Sequence, residues 1–165
     1  MKRIVILFLA CLLLCGCAGG ENAVFVDPNA VQGGGYGELY FEADGVRFGI
    51  YDEAEPILKA LPAYRSSFVG ETCAFDSTDV YYRYAGFELM VSEIDGVERI
   101  TAITVANDTV KTPQGLYIGM TEEAAAAAFG ALKEADWLLV DGTAQLSAVV
   151  IDGRIAEIVY TPSND

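Results

Sequence analysis

Apolar and polar residues alternate along most of the chain from Leu39 onward, and this spacing predicts half-buried β-strands. Four Asp-Gly dipeptides, at 44–45, 95–96, 141–142 and 152–153, lie between such segments. Asp-Gly suits the positive φ angles of a type I′ hairpin turn, so neighbouring strands are expected to be antiparallel. The predicted strands are 39–43, 46–48, 78–84, 87–94, 99–105, 115–118, 137–140, 144–151 and 154–160.

Two segments, 52–61 and 121–129, follow helical instead of strand spacing. In the first, Asp52 is predicted to cap the amino-terminal end, and Glu55 completes a capping box. In the second, Thr121 is the predicted cap, and the alanines that follow it favour a thin helix that can lie close on a sheet.

The two helices belong to segments that align with each other. Residues 46–54 match 116–124 position for position, with Gly49 opposite Gly119. Three strands are predicted after each helix, and internal repetition outweighs any single propensity in a fold prediction. We therefore expect an α+β fold of two tandem helix-plus-three-strand repeats, which form an antiparallel sheet with the helices on one face.

The predicted domain covers 39–161, with repeat one at about 39–108 and repeat two at about 109–161. Repeat one has a longer stretch, 62–77, between its helix and its strands. The sequence leaves two alternatives for that stretch, a second helix or an ordered loop.

The amino-terminal segment is typical of an export signal. Lys2 and Arg3 precede an apolar run, 4–15, which is too short to span a bilayer core of about 30 Å as a helix. Residues 14–17, at the exit of the run, read Leu-Cys-Gly-Cys. This sequence resembles the lipobox of bacterial lipoproteins and implies cleavage after residue 16 and lipidation of Cys17. We therefore predict a lipoprotein signal peptide at 1–16. The alternative is an ordinary secretory signal cleaved nearby, with Cys17 incidental.

Residues 17–38 are predicted to be the lipidated cysteine and a Gly-rich tether, because glycine is frequent there. After cleavage and lipidation only Cys73 would keep a free thiol, so no disulfide could form within the mature chain. Cys73 lies in an apolar stretch and is predicted to be a small buried hydrophobic residue.

Charge and composition narrow the function classes. The chain has 10 Lys+Arg, 24 Asp+Glu and no His, and its formal net charge is −14. Nucleic-acid binding needs clustered cations, so a nucleic-acid partner is not expected. Without histidine the commonest general base and metal ligand is missing, and no nucleotide-binding or hydrolase motif occurs. We predict a protein that is not an enzyme and has no cofactor and no metal site.

The predicted strands 78–84 and 87–94 carry the candidate partner-contact residues. Alternation places Tyr82 and Tyr84 on one face of the sheet and Tyr81 and Arg83 on the other. Tyrosine and arginine are favoured at recognition surfaces. The alternative is that these aromatic side chains are strand formers that serve only the core. The candidate contacts are Tyr81, Arg83, Glu88 and Met90.

The helix start of repeat two is part of a family resemblance. Residues 119–124, Gly-Met-Thr-Glu-Glu-Ala, with Phe129-Gly130 and three predicted strands, resemble the repeat of the β-lactamase-inhibitor-protein-like (BLIP-like) fold. The same start is similar to that of the small lipoproteins of the SmpA/OmlA (BamE) type. The inhibitor family has a disulfide in each repeat, which this chain cannot form. The resemblance implies a fold and a habit of binding proteins, and it names no target.

These patterns together predict a lipid-anchored, extracytoplasmic binding module of the cell membrane or outer membrane. Its expected partners are the membrane, through the amino-terminal lipid, and an unidentified protein. The acidic balance predicts a basic or neutral partner surface and binding that salt weakens. The alternatives are an envelope assembly or scaffold factor of the BamE type and a small-ligand-binding lipoprotein.

Overall fold

A computed structural model of the chain describes residues 39–71, 78–129 and 136–163. The elements are β1 (Phe41–Ala43), β2 (Val46–Phe48), α1 (Ala54–Ala60), β3 (Ser66–Glu71), β4 (Thr78–Arg83), β5 (Phe87–Ile94), β6 (Val97–Val105), α2 (Glu122–Phe129), β7 (Asp136–Asp141), β8 (Ala144–Ile151) and β9 (Arg154–Pro162). Strands β1 and β2 form a separate two-stranded hairpin, and the other strands form a seven-stranded antiparallel sheet of order β3-β4-β5-β6-β9-β8-β7.

The predicted class, an α+β fold of two helix-plus-three-strand repeats, is wrong. The described chain is mostly β, with 52% strand and 13% helix. Four strands follow α1 and three follow α2, because the described part of the predicted 62–77 stretch, 62–71, contains strand β3. β3 has only a weak local strand signal, the Phe-Val dipeptide at 68–69, and forms through its antiparallel pairing with β4.

The predicted strand 115–118 is also wrong, and a tight loop stands in its place. The Thr112 hydroxyl accepts a hydrogen bond from the backbone N–H of Leu116 at 3.0 Å. The backbone groups of the same two residues are joined at 2.8 Å, with Leu116 accepting from Thr112. A threonine side chain that bonds the backbone in this way competes with strand pairing.

Three of the four Asp-Gly dipeptides form the predicted turns. At Asp44, Asp95 and Asp152 both the aspartate and the following glycine have positive φ, between 50° and 79°. Positive φ at both central residues is what a type I′ turn requires. The fourth turn is displaced by one residue, because Asp141 pairs with Ala144 as the last residue of β7.

The chain enters each helix through the same backbone junction. Before α1, Tyr51 donates its N–H to the carbonyl of Ile100 at 2.8 Å, and Ile100 donates to the carbonyl of the next residue, Asp52, at 2.9 Å. Before α2, Gly119 donates to Ile155 at 2.7 Å, and Ile155 donates back to the residue after Gly119 at 2.9 Å.

Backbone angles support the equivalence of the two junctions. Tyr51 has φ 71° and Gly119 has φ 88°, so both lie in the left-handed region. The sequence alignment had instead matched Gly119 with Gly49, two residues earlier. The true correspondence follows from hydrogen bonding to the sheet, which identities along the chain do not show.

The helix caps divide into one correct and one wrong prediction. Thr121 caps α2, since its hydroxyl accepts the N–H of Ala124 at 3.3 Å. Asp52 does not cap α1, whose cap residue is Glu53 without a side-chain bond. The Asp52 carboxylate, 1% exposed, instead accepts the N–H of Gly49 at 2.7 Å. It thereby stabilises the turn that leads into the junction.

The β1–β2 hairpin fills the centre of the covered side of the sheet. Phe41 and Phe48 are fully buried, with ring centroids 5.5 Å apart. The Phe41 ring lies 5.1 Å from that of Phe87 on β5 and 5.8 Å from that of Tyr160 on β9. Because β5 and β9 lie in different halves of the sheet, this aromatic cluster joins the halves into one core.

Of the helices in the described residues, none has the length and the apolar character that a membrane-spanning helix needs.

An arginine side chain bonds the backbone at each junction, so substituting the arginine measures how much that bond contributes to the free energy of unfolding. The Arg99 guanidinium donates to the carbonyl of Tyr51 at 2.8 Å and is partly buried, whereas Arg154 makes the same bond to Gly119 at an exposed position. We expect Arg99→Met to lower the free energy of unfolding by about 1–2 kcal/mol, because a partly buried carbonyl loses a charged donor. Arg154→Met should cost about 0.5 kcal/mol or less. Urea unfolding measures both, and equal losses would contradict the expectation.

Candidate binding site on the open sheet face

The seven-stranded sheet has a covered face and an open face. The hairpin and helices cover one side, where Leu89, Ile103 and Tyr160 are buried. Successive residues of a strand point to opposite sides, so the intervening residues define the open face. The candidate contacts Tyr81, Arg83, Glu88 and Met90 all lie on the open face, and Tyr81 pairs with Met90 and Arg83 with Glu88.

An aromatic pair forms the centre of this site. The rings of Tyr81 on β4 and Phe68 on β3 stack with centroids 4.6 Å apart and an interplanar angle of 4°. Gly70 leaves room for the tyrosine, because a Cβ there would lie 2.8 Å from Cε2 of Tyr81. An aromatic ring laid over an edge glycine replaces the packing that the glycine lacks.

A charged pair borders the aromatic pair. The Arg83 guanidinium lies over the Phe68 ring at 4.6 Å and donates to the Glu88 carboxylate at 2.5 Å. A cation above an aromatic face is attracted by the ring quadrupole. The ion pair therefore holds the guanidinium over the ring, and Arg83 keeps 57% of its side chain exposed.

A chain of polar groups lies on the other side of the aromatic pair. The Ser92 hydroxyl donates to the Asp79 carboxylate at 2.6 Å and lies 2.7 Å from the Thr101 hydroxyl. A bulge between Met90 and Val91 places Thr101 here as an extra residue of β6. We name the surface formed by Phe68, Tyr81, Arg83, Glu88 and Met90 the aromatic platform.

Sequence reasoning found four of the five platform residues and missed Phe68. Alternation within one strand separates Tyr81 and Arg83 from Tyr82 and Tyr84, as the structure places them. Phe68 was missed because β3 was not predicted. The exposed Phe-Val dipeptide at 68–69, between small polar residues, is the only signal in the sequence that could have indicated it. That the platform contacts a partner stays a prediction.

A hollow of about 500 Å³ lies at the end of the sheet near the β4–β5 turn. Its wall includes Tyr84, which is 8% exposed and stacks on Phe87 at 4.5 Å. The Tyr84 hydroxyl is buried and makes no hydrogen bond to any described residue. Burial raises the pKa of Tyr84, and the neighbouring phenols of Tyr82 and Tyr64 add to the rise. The wall also carries Asp44, Arg65 and Lys111.

Several predicted features lie outside the described residues, and one prediction, that of no metal site, concerns the described residues themselves. The signal peptide 1–16, the tether 17–38, Cys17 and Cys73 lie outside the described ranges. Within those ranges no group of three or more acidic, cysteine or histidine side chains could hold a metal ion.

Comparisons with known proteins leave the chain without an assigned family. No protein-family model and no curated protein matches it. A solved structure of an extracellular protein containing a SCP domain from Bacillus anthracis str. Ames is similar in part, with a TM-score of 0.41 and 13% identity. The match covers 68% of this chain and 43% of that chain, so this chain spans less than half of that protein's length. A likeness this distant identifies neither fold nor function.

Two buried tyrosines with different hydrogen bonding allow a matched test. The Tyr160 hydroxyl donates to Oε1 of Gln114 at 2.6 Å, whereas that of Tyr84 makes no such bond. We expect Tyr160→Phe to lower the free energy of unfolding by about 1 kcal/mol and Tyr84→Phe to leave it unchanged or raise it by about 1 kcal/mol. Chemical denaturation measures both. A loss on Tyr84→Phe as large as that on Tyr160→Phe would show that the Tyr84 hydroxyl has a partner.

The same tyrosines predict alkaline destabilisation. Burial raises the pKa of Tyr160, Tyr84 and Tyr82 above the ordinary value of 10.0. Above that pH the unfolded chain loses phenolic protons that the folded chain retains, so the free energy of unfolding falls as pH rises. Denaturation between about pH 9 and pH 11 should show this fall, and a shallower one for Tyr160→Phe. A flat profile would contradict it.

Proposed function

We propose that this protein is a lipid-anchored, extracytoplasmic binding module of the cell membrane or outer membrane that is not an enzyme. In this proposal Cys17 carries the lipid, the Gly-rich tether gives reach, and the aromatic platform contacts a protein partner. The resemblance of residues 119–124 to the BLIP-like family belongs to the proposal as well.

The observation that carries the proposal is the composition of the platform. A stacked tyrosine–phenylalanine pair, an exposed arginine held over the phenylalanine ring by Glu88, and a methionine lie side by side on a sheet face. Aromatic residues, arginine and methionine are enriched at protein interfaces. Because the Arg83 guanidinium is already oriented by the ion pair, it loses less conformational freedom when a partner binds.

A second candidate, small-ligand binding, is favoured by one specific observation. The hollow beside Tyr84 has a volume in the range of small-molecule sites, and a buried phenol in its wall makes no hydrogen bond to a described residue. A ligand that binds there should raise the melting temperature of the protein.

The protein-binding proposal can be tested in the native envelope. The full chain is crosslinked and captured with its bound protein, and the capture is repeated with Tyr81→Ala and Arg83→Ala. We expect one protein to be enriched and each substitution to reduce its recovery about tenfold or more, as for a residue at the centre of an interface. The net charge of −14 predicts that high salt also reduces recovery.

The chain offers matched controls for both substitutions. Arg47 pairs with Glu42 at 2.7 Å and lies over the Tyr40 ring at 4.8 Å, so it repeats the local chemistry of Arg83 away from the platform. Tyr117 is an exposed tyrosine on a loop. Recovery that falls equally for Arg47→Ala and Tyr117→Ala would contradict the assignment of the platform. An empty capture with the unsubstituted chain would move the function to the hollow.

A further inference from the structure

The two edge strands of the seven-stranded sheet, β3 and β7, expose backbone groups that no described strand pairs. Proteins commonly protect such edges with charges, prolines or covering loops, because an open edge can pair with another chain. The residues 66–70 of β3 include no charge and no proline. The residues 137–140 of β7 include none either, so the two edges differ only in the residues at their ends.

β3 is exposed on both of its sides. Every residue from Pro62 to Val69 is exposed, and Phe68 and Val69, which point to opposite faces, are 40% and 63% exposed. The main contacts of α1 are with β6 and β2, and no described helix or strand covers Val69 at this end of the covered face. An apolar strand exposed on two faces and one edge is suited to pairing with another strand.

The sequence of β3 is complementary to itself. If two copies pair in antiparallel orientation about Phe68, then Phe68 meets its own copy and Ser67 meets Val69. In the same register Arg65, next to the strand, meets Glu71 at its end, and this pair occurs twice. Opposite charges that face each other across strands are stabilising, and the two-fold symmetry repeats the gain.

The other edge strand lacks this complementarity. β7 begins with Asp136 and ends with Asp141, so antiparallel self-pairing would set aspartate against aspartate at both ends. Like charges directly opposite each other are destabilising. The two edges of the sheet thus differ in the charges at their ends, and only β3 favours its own copy.

We propose that two copies of this chain associate through antiparallel pairing of β3 with β3, centred on Phe68. The pairing extends the sheet across both copies and places the two Phe68–Tyr81 pairs next to each other on one open face. This association is independent of the proposed partner protein and of the anchor. The pairing of one short strand buries a small area, so the affinity is low, in the class of interfaces below about 1,200 Å².

Charge complementation tests both the association and its register. The full chain is sedimented to equilibrium in a density-matched detergent, from about 1 to about 500 µM. We expect a concentration-dependent dimer. Arg65→Glu and Glu71→Arg, each alone, should raise the dissociation constant about tenfold or more, since each turns two attractive pairs into repulsive ones. An equal mixture of the two variants should recover the affinity of the unsubstituted chain, because every facing pair is then of opposite charge.

Two further substitutions control for net charge. Lys59→Glu changes the charge as Arg65→Glu does, and Glu157→Arg changes it as Glu71→Arg does, at exposed positions outside β3. Neither should alter the dissociation constant more than about twofold. A monomer at every concentration would overturn the proposal and leave the edge to an extended segment of another protein. Equal effects of the controls, or no recovery on mixing, would overturn it as well.

Discussion

The attachment of each helix to the sheet is the interaction on which the rest of the fold depends. At both junctions a residue with positive φ, Tyr51 or Gly119, turns the chain so that backbone groups bond to an isoleucine of the sheet, Ile100 or Ile155. Because the bonds are made between backbone groups, the junction tolerates different side chains. The two halves therefore share one helix entry although they differ in the number of their strands.

The hairpin and the helices pack on one face of the sheet, and this determines which side chains lie on the other face. The covered face holds the aliphatic side chains and the rings of Phe41 and Phe48, and the open face keeps tyrosine, arginine, glutamate and methionine. α1 reaches β6 and β2 and does not shield β3. The aromatic platform and the open β3 edge are thus two results of the same arrangement, in which no described helix or strand covers one end of the sheet.

Buried polar groups show where the hydrogen bonding of the core is complete and where it is not. Asp52 and Tyr160 are almost fully buried, and each makes a short hydrogen bond. Buried polar groups in folded proteins are nearly always satisfied in this way. Tyr84 differs, since its hydroxyl is buried without a bond to a described residue and lies beside a hollow.

The sequence by itself determined the features that depend on neighbours in the chain. The turns at Asp44, Asp95 and Asp152 follow from two adjacent residues, and the separation of Tyr81 from Tyr82 follows from strand alternation. Only the tertiary structure decided that 66–71 is a strand, because its partner hydrogen bonds come from β4. The role of Asp52 and the two-residue shift between the halves were likewise decided by bonds to distant backbone, which local pattern does not encode.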